Sequence, residues 1–126
     1  MIPDFDIAAA FNAQFGFSER FAIYVPNKDR DNNPVEQEPW VNRMIEILSE
    51  LCGGATAMPP IRGAWLNEST SKLVLEEPVL VYAFVDPRKF VPGIQKLVDA
   101  VHAMGRETNQ GQVAFEFGGS LYFINF

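Results

Sequence analysis

Cysteine and histidine each occur once, as Cys52 and His102. A single cysteine cannot close an internal disulfide, so the chain has to stand on its apolar core, and a reducing cytoplasm is the expected setting. With no second histidine or cysteine at ligand spacing, zinc is set aside, and His102 reads as a helix residue at the margin of an apolar stripe. Basic residues are also few: 10 Lys and Arg stand against 16 Asp and Glu, a net charge of −6. No segment gathers three of them, which disfavours nucleic acid, because phosphate contacts need clustered cations. No apolar run approaches the roughly 20 residues of a membrane span. The start M-I-P-D-F-D has neither the basic stretch nor the apolar run of a secretory signal. No membrane association is expected. A nucleophile elbow, a phosphate loop and a dinucleotide fingerprint are all absent, and Gly53-Gly54 follows a helical pattern instead of opening one.

What is present can fill one core. Hydrophobic residues make up 48 % and aromatics 13 % of the 126 positions, so one domain over residues 1–126 is expected. Residues 79–85, V-L-V-Y-A-F-V, form an unbroken β-branched and aromatic run, as in a strand covered on both faces. Pro78 bars a helix there and withholds one ladder donor, so residues 76–78 read as a bulge at the start of that strand. Phe21, Ile23 and Val25 alternate with Ala22 and Tyr24, a second strand. Val113, Phe115 and Phe117 do the same, and Gly118-Gly119 turns the chain into a last strand over residues 120–126.

Helical periodicity appears three times. Asp4 is a candidate cap for a helix to about Gln14. Trp40, Met44, Ile47, Leu48 and Leu51 form one stripe that starts near Pro39 and stops at Gly53-Gly54. Phe90, Ile94, Leu97, Val98, Val101 and Met104 form another, opened by Asp86-Pro87 and ended at Gly105. Residues 55–66 read as a strand broken by Pro59-Pro60, paired as a hairpin with residues 72–85. The fold class is α+β. The order within residues 17–117 is βαββαβ, the split β-α-β or ferredoxin-like antiparallel sheet, with a helical extension at 1–16 and an added edge strand, closing a β-hairpin, at 118–126.

One sheet face should lie away from the helices. Whichever parity holds, it carries Tyr24, Leu80, Tyr82 and Phe84, or equally apolar neighbours. A patch of that kind is normally covered, by the N-terminal helix, by a second copy or by a ligand.

Chemistry-bearing residues are sparse. Asp29, Asp31 and Asn33 start like a calcium loop, but Pro34 and Trp40 stand where glycine and a bidentate glutamate are needed, so a solvated loop is the reading and no metal is assigned. Cys52, in the last turn of a helix, has a negative dipole beside it and reads as core. The remaining set, as ligand or partner contacts, is Arg62, Trp65, Glu76, Glu77, Arg106, Glu107, Asn109 and Gln110. Arg62 is expected to pair with one glutamate across the hairpin. No catalytic residue and no cofactor is assigned.

The strings G-G-A-T-A-M-P-P-I-R-G-A-W-L and M-G-R-E-T-N-Q-G-Q-V-A-F-E-F are similar to stretches of small bacterial proteins with no named activity. That resemblance implies a self-contained unit of bacterial type and no mechanism. The first expectation for function is a binding or assembly module that forms a homodimer through the apolar sheet face, or holds a protein or small-molecule partner. Two alternatives stand beside it: a small enzyme or ligand carrier with a pocket near Arg62, Glu76 and Glu107, and a nucleic-acid-associated protein stacking bases on Tyr24 and Tyr82, which the charge disfavours.

Overall fold

The alternation of Phe21, Ile23 and Val25 sets the frame, because it puts three apolar side chains on one face of a strand at the middle of the sheet. A computed structural model describes residues 3–126; the first two residues of the expected N-terminal extension lie outside the described residues. The elements run α1 (Ile7–Ala10), β1 (Arg20–Val25), α2 (Glu38–Cys52), β2 (Thr56–Ala57), β3 (Gly63–Asn67), β4 (Lys72–Glu76), β5 (Val79–Phe84), α3 (Pro87–Glu107), β6 (Gln112–Phe117) and β7 (Ser120–Asn125). The fold is mixed α+β with antiparallel sheets: a main sheet in the order β2-β5-β1-β6-β7 and a separate pair, β3-β4.

One face of the main sheet packs on both long helices. Ile23, Val25, Val81, Met44, Ile47, Leu48, Leu97 and Met104 are the largest fully buried side chains. Each withdraws enough apolar surface to contribute about 1.5–3 kcal/mol. Helix α2 starts with Pro39 in its first turn and stops at Gly53, whose φ of 86° lets the chain turn off the helix axis. Helix α3 is capped by the Asp86 carboxylate, which accepts from the Arg88 amide at 3.1 Å.

Four expectations are corrected. The N-terminal helix shrinks to one turn capped by Asp6, not Asp4. It covers nothing, since Phe11 and Phe15 are each 76 % exposed, and one turn cannot pay the cost of helix nucleation without packing. The long strand over residues 72–85 splits at Glu77-Pro78: the Glu77 amide donates to Asn27 Oδ1 at 3.0 Å, and its carbonyl accepts from Gln37 Nε2 at 3.1 Å. Those two side chains lead the backbone from one sheet to the other, leaving β3-β4 as a projecting hairpin. The third concerns Gly105, which does not end α3. It is buried inside the helix, because the Phe126 ring occupies the space where a side chain would go. Finally, the α3 stripe is turned slightly, so Ala100 is buried while Ile94 and Val98 reach solvent.

Candidate functional site

The strand registers fix which side chains share the face that the helices leave open. Ala22 pairs with Tyr82 on β5 and with Glu116 on β6, so Arg20, Ala22, Tyr24, Leu80, Tyr82, Phe84 and Glu116 all point that way. Pairing of Ala114 with Phe123 and of Glu116 with Leu121 adds two apolar side chains from β7. Ala22 is 0 % exposed, so its methyl forms a closed floor between larger neighbours.

Above that floor sits a connected group of four. The Tyr24 hydroxyl donates a hydrogen bond to Glu116. Arg20 lies 3.9 Å from the other Glu116 oxygen and holds its guanidinium 4.9 Å from the centre of the Tyr82 ring. The Tyr24 pKa is pushed up to about 12, first by donating to Glu116, then by burial and by the glutamate's charge, with Arg20 opposing. Around the four, Phe84, Leu121 and Phe123 stand exposed. The group thus joins a carboxylate, two phenol rings and a half-exposed guanidinium, set among exposed apolar side chains.

A concavity of ≈ 310 Å³ lies at the base of the hairpin, lined by Asn27, Lys28, Arg62, Gly63, Leu75, Glu76 and Glu77. Three of the sequence candidates therefore meet here, and Trp65 joins them by donating from Nε1 to Glu76 at 3.0 Å. That bond replaces the expected pair: no ion pair joins Arg62 to either glutamate among the described residues. Glu107 does not line the cleft, contrary to the pocket expected near Arg62, Glu76 and Glu107.

The other four candidates lie at the end of α3 and after it. Arg106 and Glu107 belong to the helix and are exposed. Asn109 donates to Asp31 at 3.2 Å, and Gln110 is buried with its amide donating to the Lys28 carbonyl at 2.8 Å and the Thr108 carbonyl at 3.1 Å. Arg30 closes the same junction onto the Gln110 carbonyl. These residues bind the loop at 28–34 to the chain, and Lys28 links them to the cleft. The Asp29 carboxyl is held below its usual range, first by the Asn33 amide; it caps its own loop, accepting from Asp31 and Asn33.

Among the described residues no group of three or more His, Cys, Asp or Glu is placed to hold a metal ion, and no helix is long and apolar enough to cross a membrane. Burial pushes the Cys52 thiol up, in the direction expected from its place in α2. Lys28, Asn27 and Arg20 were missed in sequence because single polar residues at strand ends carry no spacing signal. Tyr24 and Glu116 were visible singly; only the register joins them.

No family model matches the chain, and no curated protein does. Two solved structures are similar to it. A phage SAM lyase in complex with S-methyl-5'-thioadenosine matches with a TM-score of 0.62 and 18 % identity, covering 89 % of this chain and 92 % of that one. A phage SAM lyase in the apo state matches with a TM-score of 0.58 and 18 % identity, covering 90 % and 94 %. The chain shares its fold, over most of both lengths, with those two chains.

Proposed function

We propose that this chain is a small enzyme that binds a thioadenosine-type nucleoside and breaks a carbon–sulfur bond in a sulfonium compound of the S-adenosylmethionine class. The observation that carries this reading is the Tyr24–Glu116 pair on the open sheet face, with the Tyr82 ring beside it. A sulfonium centre is a compact positive charge; a carboxylate and the faces of aromatic rings attract it. The C–S electron pair goes to sulfur as the neutral thioether leaves, and the carbon it leaves bonds to an oxygen of the substrate's own carboxylate, so no co-reactant is needed. Glu116 is the group assigned to face the sulfonium, with Tyr24 holding its carboxylate in place and the half-exposed Arg20 guanidinium, 3.9 Å from the same carboxylate, giving way to the ligand's charge. The purine would stack on the exposed rings of Phe84 or Phe123. The two similar structures supply the ligand class by analogy of fold. The order β2-β5-β1-β6, with both long helices packed against one face, supports the ferredoxin-like reading of the core. A cytoplasmic setting, where such metabolites are at hand, goes with this reading.

Calorimetry with S-methyl-5'-thioadenosine tests it. Saturable binding by the wild-type chain, little changed in Glu116→Gln because the thioether carries no charge, is the expected result. No binding by a folded wild-type chain would remove the reading.

A second reading, self-association through the same face, is favoured by the exposure of Phe84, Leu121 and Phe123. The hairpin adds to it, since Ala64, Leu66, Leu73 and Leu75 share one wholly apolar, exposed face. A homodimer is its simplest form. Sedimentation of the wild type and of Phe123→Asp decides it: a dimer that Phe123→Asp dissociates supports it, and a wild-type monomer at high concentration contradicts it.

A further inference from the structure

We infer that the cleft at the base of the hairpin is a site for the zwitterionic head of an α-amino acid. The cleft brings two cations, Lys28 and Arg62, and two carboxylates, Glu76 and Glu77, to one concavity of ≈ 310 Å³. Side chains of opposite charge that line one small cleft would ordinarily pair with each other. Here neither cation makes an ion pair among the described residues. Glu76 is turned to the Trp65 indole, 3.0 Å away, which leaves the neighbouring Arg62 guanidinium uncommitted.

The backbone around these four groups is held before any ligand arrives. Glu77 is fixed by Asn27 through its amide and by Gln37 through its carbonyl. The Lys28 carbonyl accepts from Gln110, and its neighbours are held by backbone bonds, Asn27 accepting from Val35 and Asp29 donating to Asn33. Binding therefore costs the ordering of side-chain ends and little backbone freedom. Separated charges of both signs on a held frame match a ligand that carries both signs a few ångströms apart. An α-carboxylate takes the guanidinium fork of Arg62 with Lys28 as the second cation, and the α-ammonium takes Glu77. A purely anionic ligand would meet the two glutamates, and a purely cationic one would meet Lys28 and Arg62, so each is selected against. The ligand is then either a free amino acid or the amino-acid end of a larger molecule. In the second case the inference rests on the proposed function, since a sulfonium compound of the S-adenosylmethionine class ends in that head.

Three probes separate the two claims: free methionine, S-adenosylmethionine, and S-methyl-5'-thioadenosine, which lacks the head. Each is titrated calorimetrically into the wild type, Arg62→Ala and Glu77→Gln; both side chains are exposed, and an unchanged melting temperature shows that the variants fold. The expected result is that methionine or S-adenosylmethionine binds the wild type and weakens at least roughly tenfold in both variants. The thioadenosine is expected to bind all three proteins alike. If thioadenosine binds nowhere but methionine binds and responds to the variants, the cleft stands and the nucleoside reading fails. The inference is overturned if neither head-bearing probe binds the wild type, or if both bind the variants as tightly as the wild type.

Discussion

Tyr24 and Glu116, 92 positions apart in the chain, are joined across the open sheet face by a hydrogen bond that the phenol donates. The proton on Tyr24 is held more tightly in the folded chain than in the unfolded one, where the ordinary value of 10.0 applies against about 12. A phenol is neutral when protonated, so between those values the unfolded chain binds fewer protons, and stability falls as pH rises. The contribution is whole below pH 10 and lost as pH passes about 12. An absorbance titration of phenolate should show one tyrosine ionising near 12, absent in Tyr24→Phe. The same variant should lose about 1 kcal/mol at neutral pH in urea unfolding, the worth of one partly exposed hydrogen bond to a charged group.

Gly105 and Phe126 form a lock between α3 and the chain's last residue. A Cβ on Gly105 would lie 2.0 Å from Phe126 Cζ, so Gly105→Ala must push the ring out. Alanine gains about 1 kcal/mol in helix preference, while displacing a packed ring costs about 1–3 kcal/mol. Net destabilisation is expected in the wild-type background and net stabilisation in a Phe126→Ala background. Equal effects in both would mean that the ring and the glycine do not interact.

Asp86 caps α3 and also holds Arg88 by two side-chain bonds, 3.1 and 3.0 Å. Its carboxyl lies below the ordinary 3.8, first because of the Arg88 side chain, so the stability it gives is present above that value and is lost as pH falls through the lowered pKa. Asp86→Asn should keep much of the cap at neutral pH and flatten the acid limb of a melting-temperature profile. A profile identical to wild type below pH 4 would contradict the assignment.

Asn27 ties the hairpin to the main sheet by accepting from the Glu77 amide. Asn27→Ala should speed hydrogen exchange at Glu77 and raise protease nicking between residues 63 and 76, with little change at Ile23 or Val81, which are fully buried. Faster exchange throughout the core would show that the hairpin is not a separate opening unit.

Periodicity located both long helices and strands β1 and β6, because Met44, Ile47 and Leu48, or Phe21, Ile23 and Val25, repeat at the spacing of a buried face, while the unbroken run at 79–85 marked β5 and the Gly118-Gly119 turn marked β7. The corner at residues 76–78 was legible from Pro78, but not that the chain passes there from one sheet to the other, since Asn27 and Gln37 act across 50 and 40 positions. The role of Gly105 was hidden for a similar reason: a glycine near a helix end reads as a stop until the Phe126 ring is seen against it. Of the site candidates, Arg62, Trp65, Glu76 and Glu77 come together, whereas Asn109 and Gln110 are spent on the loop at 28–34. Neither the Tyr24–Glu116 bond nor Lys28 in the cleft carries a local pattern, because each depends on register between distant strands.

The most direct test is chromatography of S-adenosylmethionine after incubation with the purified wild-type chain and with Glu116→Gln. Accumulation of S-methyl-5'-thioadenosine with the wild type, and a rate at least roughly a hundredfold lower with the variant, is the predicted result. Unchanged S-adenosylmethionine with a folded wild-type chain, or equal rates in the two proteins, would contradict it.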